Sequence, residues 1–238
     1  MRLDRFLCEN SLGSRSQVKQ WIKKGLVTVN DTIIRQPEYK VDEESDAVFC
    51  QGQAVFYRKY VYYMLNKPAG TVTAREDNLS LTVMSLMKDA YGKDLSPVGR
   101  LDKDTEGLLL ITNDGLLAHR LLSPKNHVPK TYFVTLRECF TPEQEHALAE
   151  GVDIGEKKVC MPAQAEVLDS RNILLTIHEG KFHQVKRMMK AVGNEVVYLK
   201  RVRFGSLSLD ATLAPGEYRS LSDTEVAEIL KQAVQAVD

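Results

Sequence analysis

The chain has 238 residues, of which 43% are hydrophobic and 27% charged. At roughly 150 residues per domain, that is one large domain or two small ones. The composition excludes a disordered chain, which needs low hydrophobicity and high net charge. The longest aliphatic run, Leu108-Leu109-Leu110-Ile111, falls far short of the about 20 apolar residues that span a membrane.

The N-terminus, MRLDRFLCEN, carries charges where a signal peptide needs an apolar stretch, so a cytoplasmic protein away from membranes is expected. Cys8, Cys50, Cys139 and Cys160 form no Cys-x-x-Cys pair. They read as reduced thiols used as small hydrophobes, not as a disulfide framework or a zinc site. Net charge is zero, with 32 basic and 32 acidic residues, but the charges are segregated. Residues 1–25 are locally +4 and 181–203 locally +6, whereas 31–50 and 204–238 are each −4. Such segregation can give a neutral protein an electropositive footprint for a polyanion.

Leu3, Phe6 and Leu7 have helical spacing. Ser14-Arg15-Ser16-Gln17 fits a capping box, Val18, Trp21 and Ile22 give the next helix one apolar face, and Gly25 ends it. Arg15, Lys19 and Lys23 lie four apart, so a basic stripe runs along that helix. Residues 26–29 turn at Asn30-Asp31 into 32–34, and 48–50 turn at Gln51-Gly52 into a strand through Val55. Further along, strands are expected over 61–65, 132–136, 173–177 and 196–199. Helices are expected over 115–122, 142–150, 184–191 and 224–236. Strands and long helices do not alternate regularly, so the class is α+β. A boundary near 56–62 divides the chain into 1–59 and 60–238.

The segment Gly99 to Gly115 carries polar residues between glycines and then an apolar run, a loop feeding a buried strand. As a calcium loop starting at Asp102 it fails at the twelfth position, Asn113, where a bidentate Glu is needed. As a glycosidase pair it would need Asp102 and Asp104 to cooperate, and the two are expected to face apart. The remaining reading is one functional carboxylate, Asp102, with Arg100 beside it.

Gly99-Arg100-Leu101-Asp102, with Thr105, Gly107, Leu108 and Leu109, resembles the Asp motif of RNA pseudouridine synthases. Three further stretches resemble that family in the same order. They are Leu65 to Gly70, Lys130-Thr131-Tyr132, and Glu179 to Met188 with Leu199-Lys200-Arg201. Arg2-Leu3-Asp4, Ser14-Arg15 and Gly25 to Asn30 resemble the S4 RNA-binding fold. Together with Leu213 to Arg219, these make the chain most similar to the small-subunit rRNA branch of the family.

The resemblance implies an S4-like α/β domain followed by a catalytic domain on a mixed, mainly antiparallel sheet. It implies isomerisation of uridine to pseudouridine in small-subunit (16S) rRNA. The C1′–N1 bond breaks, the uracil turns, and C5 rejoins C1′, through either a covalent adduct or a glycal. A carboxylate near the electron-poor C1′ suits that chemistry. By motif, Asp102 takes this role. Arg100 fills the space left by the extruded base and pairs with Asp102, Tyr132 stacks on the uracil, Lys186 pairs with Asp102, and Leu199 packs against the base.

Lys130 belongs to the Tyr132 motif, His183 and Gln184 contact RNA or orient neighbours, and Arg187 is a possible substitute for Lys186. Lys67-Pro68 is expected to be structural, and Asp104 and Glu106 solvated loop acids. RNA contacts are expected from Arg2, Arg5, Arg15, Lys19, Lys23 and Lys24. No metal is expected at His178 and His183, and no organic cofactor, because nothing is oxidised and no group is added. The expected partner is small-subunit rRNA, free or in a ribosome-assembly intermediate, met by a monomer. The alternatives are the same reaction on large-subunit (23S) rRNA, or a non-catalytic S4-type ribosome-assembly factor.

Overall fold

The computed structural model describes residues 1–10 and 12–235. Its contacts divide the chain into two units, Met1–Val61 with Asp89–Leu95, and Tyr62–Lys88 with the remainder.

The first unit opens with α1 (Leu3–Glu9) and α2 (Arg15–Lys23). The capping box forms: Ser14 Oγ accepts from the Gln17 N–H, and Gln17 Oε1 accepts from the Ser14 N–H. Strands β1 (Val27–Val29), β2 (Thr32–Ile33), β3 (Val48–Cys50) and β4 (Gln53–Val55) follow, in the order β2-β1-β3-β4. Both hairpin turns have positive φ at their two central residues, Asn30 and Asp31 at 49° and 62°, Gln51 and Gly52 at 52° and 79°. That geometry matches the twist of the flanking strands. Leu3, Phe6, Leu7, Val18, Ile22 and Val27 centre a core separate from that of the second unit. The segment 89–95, which the sequence reading left with the second part, packs here, where the Tyr91 hydroxyl meets Asn10 Oδ1.

In the second unit, β5 (Tyr62–Lys67), β6 (Ser96–Pro97) and β7 (Glu106–Thr112) lead into α3 (Gly115–Leu122). Then come β8 (Lys130–Leu136), α4 (Pro142–Glu150), β9 (Gln164–Val167), β10 (Asn172–Ile177) and α5 (Gln184–Ala191). The chain continues through β11 (Val196–Phe204), β12 (Leu207–Ser208), β13 (Tyr218–Ser220) and α6 (Asp223–Gln235). The main sheet runs β13-β5-β7-β11-β8-β10-β9, with β12 on β11 and β6 on β7. Its pairs are antiparallel except β7 with β11, which are parallel.

Strand β7 lies inside the sheet, and Leu108, Leu109, Leu110 and Ile111 are fully buried. A strand covered on both faces reads as a continuous apolar run, and each such side chain contributes about 1.5–3 kcal/mol. On one face, Leu108 and Leu110 join Leu117 and Leu121 of α3 and Ile229 and Ala233 of α6. Arg219 on β13 grips Asp210 at 2.6 Å and Glu225 of α6 at 2.8 Å. The Leu213 to Arg219 motif thus ends in an ion-pair staple.

The helices over 115–122, 142–150 and 184–191 match their expected bounds. The expected 224–236 helix matches α6 as far as Gln235, and Ala236 lies outside the described residues. Strand β11 runs on to Phe204, five residues beyond expectation, because it pairs with β7 and β8 on its two edges and buries Arg201. Arg201 is therefore 2% exposed and adds nothing to a surface footprint. Cys139 is also corrected: it is exposed, while the other three thiols are buried.

Gly107 has φ +101°, and a Cβ there would meet the Arg201 carbonyl oxygen at 2.2 Å and its nitrogen at 2.8 Å. Both obstacles are backbone, so the parallel approach of β7 and β11 requires glycine. Gly107→Ala should lower the thermal midpoint by at least about 5 °C, at roughly 2–4 °C per kcal/mol for a chain of this size. Gly115→Ala, in open space at a helix start, should stay within about 2 °C, both read by circular dichroism melts.

Candidate active site

Asp102 sits in the loop that enters β7. The Thr105 N–H donates to the Asp102 carbonyl at 3.1 Å, closing a turn. Two sets of bonds hold that turn. Thr73 Oγ1 donates to the Leu101 carbonyl at 2.8 Å and accepts from the Leu101 N–H at 3.1 Å. At the end of β5, the buried Lys67 ammonium donates to the carbonyls of Thr105 at 2.7 Å, Pro68 at 3.1 Å and Lys103 at 3.3 Å. The Gly70 N–H also donates to the Lys103 carbonyl, at 2.7 Å. The loop bearing Asp102 is therefore built on the Leu65 to Gly70 stretch.

Two side chains approach the carboxylate. His183 Nε2 lies 3.5 Å from Asp102 Oδ1, and Lys186 Nζ lies 3.8 Å from Oδ2. Lys186 comes closer to Asp104, at 2.6 and 2.7 Å from its two oxygens. The bond to Lys186 holds the Asp104 carboxyl below the usual range. Two expectations are corrected here. The turn brings Asp102 and Asp104 to the same lysine, so they do not face apart. Asp104 is a partner of Lys186, and Glu106 accepts from the Tyr198 hydroxyl at 2.6 Å, so neither is merely a solvated acid.

Arg100 is exposed, and among the described residues the basic side chains within 4 Å of the Asp102 carboxylate are His183 and Lys186, not Arg100. Tyr132 on β8 stands opposite Arg201 of β11, and Arg201 stands opposite Gly107 of β7. That register sets Tyr132 two strands from the Asp102 loop. Its ring is 8% exposed, so little of it is open for stacking in this state, and Leu199 is 5% exposed. Arg201 donates from Nε to the Leu108 carbonyl at 2.8 Å, and its Nη2 has no hydrogen-bond partner among the described residues. Burial pushes its pKa down, partly offset by Tyr132. The Arg201 guanidinium and the Lys130 ammonium lie 5.0 and 5.7 Å from the Phe204 ring centroid, in cation–π contact. Lys130 also donates to the Val128 carbonyl at 2.8 Å.

Gln184 and Arg187 do not reach Asp102. Gln184 is buried and joins Glu179 to the Lys181 N–H, each at 2.9 Å. Arg187 is held by Glu156 and by the carbonyls of Ile154 and Phe182. Both brace the loop before α5. In the first unit, Arg2, Asp4, Arg5, Cys8, Glu9, Arg15, Lys19 and Lys93 line a groove of about 550 Å³. Arg2 pairs with Asp4 at 2.8 Å and Arg5 with Glu9 at 2.6 Å. Lys23 and Lys24 are exposed and do not line the groove, whereas Lys93, far away in sequence, does. The sequence singled out Lys67 as structural and Arg201 as part of a motif but not the carbonyls they meet, and it had no signal for Lys93, because each contact depends on a fold-back.

The fold and this loop geometry agree with comparisons to known proteins. Residues 61–191 match the RNA pseudouridylate synthase family, and residues 1–48 match the S4 domain. The chain belongs to the RNA pseudouridylate synthase family. It is 49% identical to the uncharacterized RNA pseudouridine synthase YtzG of Bacillus subtilis, over 95% of this chain and 97% of that protein. It is 44% and 41% identical to the ribosomal small subunit pseudouridine synthases A of Vibrio cholerae and Escherichia coli, in each case over 97% of this chain and 100% of the relative. A crystal structure of a pseudouridylate synthase superposes with a TM-score of 0.69 at 39% identity, covering 96% of this chain and 99% of that one.

Burial lowers the Lys67 pKa to about 8, against the pull of Asp104, Asp102 and Glu106. An unfolded lysine keeps its proton to about 10.4, so between pH 8 and 10 the unfolded chain binds the extra proton. Stability from this group therefore rises with pH in that window and is lost as pH falls through 8. Lys130, also lowered to about 8 by burial and then by Arg201, adds to the same slope. Urea titrations of Lys67→Met between pH 8 and 10 should show a flatter rise than wild type. A rise of wild-type steepness would mean that Lys67 does not titrate there.

Proposed function

We propose that this chain isomerises a uridine of small-subunit (16S) ribosomal RNA to pseudouridine, with the Asp102 carboxylate at the reacting C1′. What carries the reading is the braced Asp102 loop, with cationic Lys186 and the His183 imidazole beside the carboxylate, in a member of this family. The choice of RNA leans on the names of the Vibrio cholerae and Escherichia coli relatives. The protein acts as a monomer in the cytoplasm, on rRNA or on an assembling particle. Residues 1–59 serve as the RNA-docking part and 60–238 as the catalytic part.

The chemistry follows from the residues. Extruding the target base costs a few kcal/mol of unstacking, which contacts to the surrounding RNA must offset. Asp102, held in place before substrate arrives, meets C1′ as positive charge develops there, as nucleophile or as electrostatic partner. Lys186, anchored by Asp104, keeps a cation near the carboxylate. Tyr132 and Leu199 form the apolar wall for the uracil, Arg100 is free to enter the vacated stack, and His183 orients Asp102. Arg15, Lys19 and Lys93 supply phosphate contacts from the first unit.

Asp102→Asn should abolish tritium release from 5-tritiated uridine in 16S transcripts while RNA affinity stays within several-fold. Release at the wild-type rate would refute the assignment. Wild-type release from 23S transcripts alone would move the substrate to the large subunit, and mapping the new pseudouridine would identify the site. Neutralising Arg15, Lys19 and Lys93 together should weaken RNA binding. It should also lower the slope of log affinity against log salt by roughly 0.7–0.9 per lost phosphate contact. An unchanged slope would remove the groove from the interface.

A further inference from the structure

The loop between β10 and α5 holds a side chain that the site as described does not use. Phe182 is 73% exposed. Among the described residues of the second unit it is the only exposed Phe, Tyr or Trp. One ring face is covered by His183, with ring centroids 3.8 Å apart and planes 17° from parallel. The other face is open. His183 in turn reaches Asp102 at 3.5 Å, so a stack of two flat rings leads outward from the carboxylate.

The ring is held out by its loop. Arg187 donates to the Phe182 carbonyl at 3.1 Å. Gln184 Oε1 accepts from the Lys181 N–H at 2.9 Å, and Lys181 Nζ donates to the Lys158 carbonyl at 2.9 Å. His183 has φ +49°, a left-handed conformation that is costly for a residue with a Cβ and persists only where neighbours impose it. A loop free to relax would fold a phenyl ring away from water, since full burial of Phe is worth about 1.5–3 kcal/mol. Here a strained, braced backbone keeps the ring exposed, stacked on the imidazole that lies 3.5 Å from Asp102.

We propose that Phe182 is a base-stacking residue at the mouth of the Asp102 site: its open face receives a nucleobase of the RNA strand adjacent to the target uridine. A flat, exposed ring continuing an aromatic stack matches single-stranded RNA, whose unstacked bases settle on aromatic side chains. The contact holds the flanking strand while the uridine leaves it. The proposal rests on the pseudouridine-synthase reading above and adds to it a residue on the RNA path.

The test uses the full chain with Phe182→Ala, Phe182→Leu and Phe182→Trp, on 16S transcripts. Filter binding gives Kd, tritium release gives kcat/KM, and thermal melts check the fold. Phe182→Ala should weaken binding and lower kcat/KM about ten-fold, the size of a lost base–aromatic stack. Phe182→Trp should stay within about three-fold of wild type, Phe182→Leu should resemble Ala, and all melting midpoints should stay within about 2 °C because the ring is exposed. Alanine within two-fold of wild type in both readouts, or leucine as good as tryptophan, would overturn the proposal. If wild type released no tritium from any rRNA, the catalytic reading would fail, and the order of the Kd values would still decide the stack.

Discussion

A buried ammonium that has no carboxylate partner among the described residues organises this structure. Lys67 emerges from the end of β5 into a pocket that excludes water, and three backbone carbonyls receive its donors. Burying a charge is costly unless it is hydrogen-bonded, so any shift of the 103–105 backbone would leave it unsatisfied. That requirement locks the turn from Asp102 to Thr105, and the turn sets the direction of the carboxylate. The same strand pair, β5 with β7, puts the lysine and the loop next to each other.

The charges around Asp102 follow from this. The turn presents Asp102 and Asp104 together, and α5 brings His183 and Lys186 to them. Lys186 binds Asp104 tightly and sits farther from Asp102, so Asp102 is left partly open, with its side chain 26% exposed. A carboxylate closed into a two-point ion pair would have to break it before meeting a substrate. Tying the lysine to the neighbouring acid keeps a cation close without blocking the group.

Beneath the site, the sheet stores further cations. Arg201 and Lys130 both lie over the Phe204 ring, and neither has a carboxylate partner within salt-bridge distance among the described residues. Their charge is met by carbonyl dipoles and the ring face. The close parallel contact of β7 with β11, which only Gly107 permits, sets Arg201 over the Leu108 carbonyl. Backbone geometry at one glycine thus decides where a buried positive charge rests, with Tyr132 one strand away.

Much of the architecture was legible from local signals. The capping box at Ser14, the hairpin turns at Asn30-Asp31 and Gln51-Gly52, and the 115–122, 142–150 and 184–191 helices depend on neighbours within a few residues. The apolar run 108–111 announced a strand buried on both faces. The spacing of Gly99, Arg100 and Asp102 before that run pointed to a functional loop, and four motifs in order pointed to the family. Partners across the fold were another matter. That Lys186 prefers Asp104, that Arg201 is buried, that Gln184 and Arg187 brace a loop, and that Lys93 joins the first unit's groove are settled by pairings between residues tens of positions apart. Local periodicity sets which face of an element is apolar. Which distant charge comes to rest against which carbonyl or carboxylate is decided only when strand register and burial fix the distances and strip away the water.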